Sequence, residues 1–265
     1  MISFNNLGNY GRLGNQMFQY ASLRGIAANR GYGFCIPPVE VFGSNDLNVK
    51  QSGIHIHNTF DLSHVQTSIS SYNIIEESHC HFDEVLFHEC EDNVDLLGYF
   101  QTEKYFQHIE NDIRKDFSFS NQLLTVCSDF IDEIDSTHQI ISLHIRRGDY
   151  LNLNSFHPIP SLSYYEEALD QFPNLPVLIF SDDSNWCMEQ ELFDGDKFLV
   201  STNTSDFDMC LMSMCTHHII ANSSFSWWGA WLSGSKNVIA PEVWFGSSLS
   251  DKNTSDLYCK GWKLL

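Results

Sequence analysis

Short apolar runs recur at regular intervals in the second half of the chain, at 139–145, 176–180, 197–200, 218–221 and 237–240. Between them lie stretches with helical spacing, at 163–171, 184–192, 206–215 and 225–232. In the first of these, Tyr164, Tyr165, Ala168 and Leu169 form one stripe. Alternation of short buried strands with helices predicts a parallel, doubly wound sheet, with 237–240 as its last strand. The start of the chain predicts a strand at 2–4, a Gly-rich turn from Gly8 to Asn15 and an amphipathic helix over 16–29, closed by Gly31 and Gly33. Residues 40–95 are polar, His-rich and only weakly periodic. The acidic, weakly patterned stretch near 115–138 is expected to carry the linker. The expected architecture is α/β: two Rossmann-like lobes with parallel sheets, 1–137 and 138–265, and a ligand cleft between them.

Charge narrows the function. The formal net charge is -20 over 265 residues, and the pI is about 4.7. Such a chain does not bind nucleic acid nonspecifically, because phosphate contact needs a basic face. It also repels anionic ligands at long range, so any anion site needs a local cluster of arginines. No apolar run is long enough to span a bilayer, and residues 3–12 lack a signal-peptide layout. Eight scattered cysteines form no CxxC pair, which fits reduced thiols in a cytosolic protein. His79, Cys80, His81, His88 and Cys90 match no standard zinc spacing, so no metal site is expected.

Three segments carry the chemistry. His144-Ile145-Arg146-Arg147-Gly148-Asp149-Tyr150 follows a predicted buried strand. Ligands of open α/β sheets bind beyond the carboxyl ends of strands, and guanidinium offers a fork of donors suited to phosphate. Taken alone, the stretch reads better as a surface loop with a structural Arg–Asp pair, and the phosphate reading gains weight only from the two segments that follow. Gly11-Arg12-Leu13-Gly14-Asn15-Gln16 sits at a strand-to-helix turn, where glycine permits close approach to the backbone and a helix N-terminus favours an anion. It is not the dinucleotide GxGxxG, and a purely structural turn accounts for it as well. Asn222-Ser223-Ser224-Phe225 opens a Trp-rich helix, either as a cap or as a phosphate-facing turn. Trp227, Trp228 and Trp231 at i, i+1 and i+4 read as core.

Together these segments resemble the α-1,2-fucosyltransferase family of inverting glycosyltransferases. GRLGNQMFQYAS near the start, GYFQTEKYF at 98–106, HIRRGDY, FSDD at 180–183 and NSSFSWWGAWL occur in the family's order. More distantly, the layout is similar to α-1,6- and protein O-fucosyltransferases. The resemblance implies a GT-B-type fold, with the N-terminal lobe on the acceptor side and the C-terminal lobe on the donor side. It implies GDP-fucose as donor, the 2-hydroxyl of a terminal galactose-type residue as acceptor, and neither metal nor cofactor. It also implies a bacterial-type member without a membrane anchor, cytoplasmic or peripheral at the inner face of the membrane, where the acceptor glycan is lipid-linked.

Site residues follow from the same resemblance. Arg146 matches the arginine on the donor β-phosphate, and His144 a residue near the guanine. Asp208 matches an acid accepting from guanine N–H groups, and Ser223, Ser224 and Phe225 match the phosphate-facing turn. Asn15 matches an asparagine facing the reaction centre, with Gly14 and Arg12 in its turn. Arg147 joins the donor contacts, and Arg147 and Asp149 are expected to brace one another. Asp182 and Asp183 are expected to hold loops. Some α-1,6 relatives place an acid between the arginine motif and a following Phe-His-Pro. Here Phe156-His157-Pro158 is present, but no Asp or Glu lies between Asp149 and Glu166. That base assignment does not transfer, which leaves Asp149 and His157 as the candidates near in sequence. The rival readings are fucosyl transfer of α-1,6 or protein O-linked type, a glycosidase, and a non-catalytic nucleotide-sugar or glycan-binding protein. Acceptor specificity is expected in the 40–110 region.

Overall fold

The computed structural model describes residues 1–38, 56–62 and 73–265. They form two compact units, one of Met1–Phe119 with Asn253–Cys259 and one of Ser120–Lys252 with Lys260–Leu265. The chain thus leaves the second unit near its end, contributes seven residues to the first, and returns. The expected lobe boundary at 137 lies beyond the break in contacts at Phe119–Ser120.

The first unit contains β1 (Ile2–Ser3), α1 (Leu13–Arg30), β2 (Phe34–Cys35), α2 (Ile56–Thr59), β3 (Asn73–Glu76), α3 (Glu84–Glu89), β4 (Val94–Leu97) and α4 (Glu110–Asp116). Its strands are parallel, in the order β2-β1-β4-β3. Helix α1 begins three residues before the expected start. Gly11 makes this possible: its φ is +81°, and a Cβ there would lie 2.1 Å from the Asn15 amide nitrogen. Buried amides then tie α1 to both flanking turns. Gln16 Nε2 donates to Gly11 O at 3.2 Å, and Gln19 Nε2 donates to Gly98 O at 2.9 Å. The weakly periodic segment contains β3, α3 and β4. It hides them because β3 is mostly exposed and α3 has only six residues. The rest of it, 40–55 and 63–72, lies outside the described residues.

The second unit contains α5 (Asn121–Ile134), β5 (Ile141–Ile145), α6 (Leu162–Leu169), β6 (Val177–Ser181), α7 (Ser184–Met188), β7 (Phe198–Val200), α8 (Ser205–Met214), β8 (His217–Ile219), α9 (Ser224–Ser233), β9 (Val238–Ala240) and β10 (Lys263–Leu264). All pairings are parallel, in the order β10-β9-β8-β5-β6-β7. The central strands bury Leu143, Ile145, Ile179, Ile219 and Ile239 in one core with Tyr165 and Ala168 of α6. Trp227, Trp228 and Trp231 are buried, as their spacing predicted.

Two expectations are adjusted here. Residues 115–138 are not all linker: the break between the units at Phe119–Ser120 falls within them, and α5 follows it. Ser120 Oγ caps this helix by accepting from Leu123 N at 3.2 Å. Cys127 and Ile131, one turn apart, form its buried side, and Phe130 meets Phe207 of α8 edge-on at 6.4 Å. The acidic outer face masks that narrow stripe. Likewise 237–240 is not the last strand, because β10 adds beside β9. With two exposed residues, β10 leaves no apolar signal.

The strand order positions the site. From β5 the chain runs outward through β6 and β7. It then restarts on the other side of β5 with β8, β9 and β10. The direction of winding therefore reverses between β5 and β8, and loops leaving adjacent strands at such a reversal diverge and open a crevice beyond their carboxyl ends.

Candidate active site

Both loops at this reversal carry predicted site residues. Arg146 and Arg147 follow β5 directly, and Asn222-Ser223 leads from β8 into α9. The Tyr150 hydroxyl joins the loops by donating to Asn222 O at 3.1 Å.

Arg146 is the centre of the arrangement. Its side chain is 14% exposed and meets two carboxylates. Nη1 lies 2.5 Å from Asp182 Oδ2, and Nη2 donates to Asp149 Oδ1. The guanidinium carbon stands 5.2 Å from the centre of the Tyr150 ring. Tyr150 in turn stacks on His157, with centroids 4.8 Å apart and planes 17° from parallel. Arg146, Asp149 and His157 are thus assembled by Tyr150, which the sequence reading did not single out.

Arg147 points elsewhere. Its Nε lies 3.0 Å from Asp183 Oδ2, and its guanidinium carbon sits 3.9 Å from the centre of the Trp186 ring. The expected Arg147–Asp149 brace is therefore corrected: Asp149 pairs with Arg146, and Arg147 with Asp183. The reason is strand register. Ile145 faces Ser181 across β5 and β6, so the residues just beyond them, Arg146 and Arg147 against Asp182 and Asp183, meet side by side. Asp182 and Asp183 do hold the loops. Asp182 Oδ1 accepts from the backbone N–H of Arg147 at 2.9 Å and of Gly148 at 3.2 Å. Asp183 Oδ1 accepts from Trp186 N at 3.4 Å, at the start of α7.

Three buried polar atoms gather at the reversal without a hydrogen-bond partner among the described residues: His144 Nδ1, His157 Nδ1 and Asn222 Oδ1. Buried polar groups are normally paired, so these atoms mark a place built for ligand or water. His144 lies against Phe225, ring centroids 5.8 Å apart. Burial, with the Arg146 charge as a smaller contribution, pushes the His144 imidazole down to about 3. Burial likewise lowers His157, so both rings are neutral near physiological pH. The Asn222 amide nitrogen donates to Pro158 O and Trp244 O, both at 2.9 Å, which fixes its orientation.

Ser223 caps α9, its hydroxyl accepting from Phe225 N at 3.4 Å, and Ser224 is the first residue of that helix. Asp208 lies in the first turn of α8, which packs along α9. It accepts from Ser201 Oγ at 2.5 Å. Burial raises its carboxyl to about 6, against the lowering effect of that hydrogen bond. Asp206-Phe207-Asp208 opens a helix, as expected. Among the described residues, no group of three or more His, Cys, Asp and Glu is arranged to hold a metal ion. All eight cysteines are free thiols.

Arg12, Gly14 and Asn15 belong to the first unit, at the start of α1. There the Gln101 amide donates to Asn15 Oδ1 at 2.7 Å. In that sheet β1 and β4 are parallel neighbours. The turn before α1 and the 98–106 segment follow those two strands, so both motifs lie beyond the carboxyl ends of adjacent strands. One sequence signal points to the partners of the two arginines. Two arginines at one strand end in a strongly acidic chain call for carboxylates at the neighbouring strand end, where FSDD stands.

Comparison with known proteins agrees with this geometry. Residues 2–265 match glycosyl transferase family 11. The chain is 33% identical to an alpha-1,2-colitosyltransferase of Escherichia coli, over 89% of this chain and 90% of that protein. It is 26% identical to galactoside alpha-(1,2)-fucosyltransferase 2 of Sus scrofa, over 86% of this chain and 69% of that one. Among solved structures, the fold is similar to the fucosyltransferase NodZ from Bradyrhizobium, with a TM-score of 0.57 at 16% identity over 87% of this chain and 91% of that one. It is also similar to POFUT1 in complex with GDP, with a TM-score of 0.54 at 12% identity over 88% and 94%. The fold is thus of the GT-B type, and a match over nearly its whole length places the chain in glycosyl transferase family 11, as a glycosyltransferase.

Proposed function

We propose that the protein transfers L-fucose from GDP-fucose to the 2-hydroxyl of a terminal galactose-type residue of a glycan, with inversion at the anomeric carbon. The observation that carries this reading is Arg146, a largely buried guanidinium held by two carboxylates just beyond β5, where the strand order reverses. Fucosyl transfer breaks the bond between the anomeric carbon and a phosphate oxygen, through an oxocarbenium-like transition state. Negative charge then grows on the departing diphosphate. A guanidinium held at that position stabilises the transition state more than the ground state.

The other residues take roles around it. The N-terminus of α9, with Ser223, Ser224 and Phe225, donates to the diphosphate. Asp208 accepts from guanine N1–H and N2–H, and His144 lines the nucleotide side. Arg147, engaged by Asp183 and Trp186, supports the loop from behind. Asp149, the more exposed carboxylate on Arg146 at 44%, receives the acceptor proton as the hydroxyl reacts. His157, kept neutral by burial, orients the acceptor. Asn15, with Gly14 and Arg12 in its turn, serves the acceptor side from the first unit. The reaction needs no metal or cofactor. The enzyme works in the cytoplasm or at the inner face of the membrane, on a lipid-linked glycan.

A second donor is favoured by one observation, the 33% identity to a colitosyltransferase. Colitose is fucose without its 3-hydroxyl. Incubation with GDP-fucose and with GDP-colitose, against a panel of β-galactosides with mass and linkage analysis of products, tests both. A 2-linked fucosyl product formed faster from GDP-fucose supports the proposal. Preference for GDP-colitose replaces the donor and leaves the linkage, whereas hydrolysis without transfer to any galactoside contradicts it.

A further inference from the structure

We infer that Asp182 is a positioning residue for transfer: its carboxylate anchors the turn that carries Arg146 and thereby aims the guanidinium at the leaving diphosphate. The inference deepens the reading of Arg146 given above and rests on it. One carboxylate does two things here. Oδ1 accepts both backbone N–H groups of the turn, Arg147 at 2.9 Å and Gly148 at 3.2 Å. Oδ2 lies 2.5 Å from Arg146 Nη1. Backbone and side chain of the arginine segment are therefore referenced to one rigid group at the end of β6.

Asp149 differs in kind. It meets Arg146 at the other terminal nitrogen, is 44% exposed against 24% for Asp182, and sits three residues along the same loop. An incoming diphosphate displaces the exposed partner and keeps the anchored one. Gly148 supports the same assignment. It is not among the glycines with positive φ, so backbone freedom does not explain it. A Cβ at this position would lie 2.3 Å from Asp182 Oδ2. The glycine of the arginine motif is there to let the carboxylate close on the turn.

The test compares wild type with Asp182→Asn, Gly148→Ala, the double variant and Arg146→Ala. Asparagine keeps an oxygen for the two N–H groups and replaces the acceptor facing Arg146 by a neutral N–H donor. Asp182→Asn is expected to lower kcat by roughly 100-fold, the scale of a misplacement of about 1 Å, and to weaken GDP binding in calorimetry. GDP stoichiometry and acceptor KM should stay at wild-type values. Gly148→Ala should show a similar loss, and the double variant should be no worse than the poorer single one, because both changes disable one contact. Wild-type kcat in Asp182→Asn beside an inactive Arg146→Ala overturns this inference alone. So do losses that multiply in the double variant, or a GDP stoichiometry that falls in step with activity. A fully active Arg146→Ala overturns the parent reading together with this one.

Discussion

Arg147 sits over the ring of Trp186, its guanidinium carbon 3.9 Å from the ring centre. Its Nε is held 3.0 Å from Asp183. This second arginine is a brace between β5 and α7. Trp186→Ala should cost about 1 kcal/mol of stability, within the range for a partly shielded cation–π contact, and so lower Tm by several degrees. GDP affinity should change little. Thermal unfolding with and without GDP checks this. An unchanged Tm with lost GDP binding would make Arg147 a donor contact instead.

In the proposed reading, Asp149 and a bound diphosphate compete for the same guanidinium nitrogen, Arg146 Nη2. Asp149→Asn should therefore tighten GDP by roughly two- to fivefold, the scale of a half-exposed ion pair. The same change should lower kcat by roughly 100-fold or more if the carboxylate takes the acceptor proton. Calorimetry and steady-state kinetics on one preparation separate the two effects. Weaker GDP binding in this variant would show that Asp149 supports Arg146 and is not displaced from it.

GDP binding should depend on pH through Asp208. The carboxylate accepts guanine N–H groups only when ionised, and its free-enzyme value is raised to about 6 by burial. GDP affinity should therefore fall as pH drops through about 6, and Asp208→Asn should remove that dependence. The stability of the ligand-free protein should follow the opposite trend. A native-state value above the unfolded one contributes stability that is fully present below the ordinary carboxylate value of 3.8 and is lost as pH rises through about 6. Calorimetry and thermal unfolding across this range check both signs. A flat GDP profile in the wild type would remove Asp208 from the guanine site.

Transfer should survive chelation. The Asp206-Phe207-Asp208 spelling matches a metal-holding motif, yet Asp208 is engaged by Ser201 at 2.5 Å, and the proposed reading gives the diphosphate charge to Arg146. Activity in EDTA should stay within roughly twofold of the untreated rate, since a metal on the diphosphate would account for several kcal/mol of transition-state stabilisation. Loss in EDTA with recovery on adding manganese would contradict the arginine-based mechanism.

The strand ends were legible because an apolar run that stops at charged residues is a local pattern. His144 through Tyr150 and Asn222 through Phe225 could both be placed at strand ends in this way. What could not be read depends on partners distant in sequence. The pairing of Arg146 with Asp182 and of Arg147 with Asp183 follows from the β5–β6 register, and no local spacing encodes that register. The stack of Tyr150 on His157 requires the loop to fold back on itself. Helix α5 was missed because only Cys127 and Ile131 are fully buried, and its other apolar residues are interleaved with acidic ones. Strand β10 was missed because its residues are exposed and it pairs only after the chain returns from the first unit.

The central claim is that Arg146 carries the leaving diphosphate through the transition state. Single-turnover transfer from saturating GDP-fucose to a β-galactoside, compared between wild type, Arg146→Ala and Arg146→Lys, tests it most directly. Saturation removes differences in donor affinity, so the rate reports the chemical step. The account predicts a loss of at least roughly 1,000-fold in Arg146→Ala, comparable to removal of a transition-state charge contact. Arg146→Lys should remain severely impaired, because an ammonium lacks the planar fork. A near-normal single-turnover rate in either variant would contradict it.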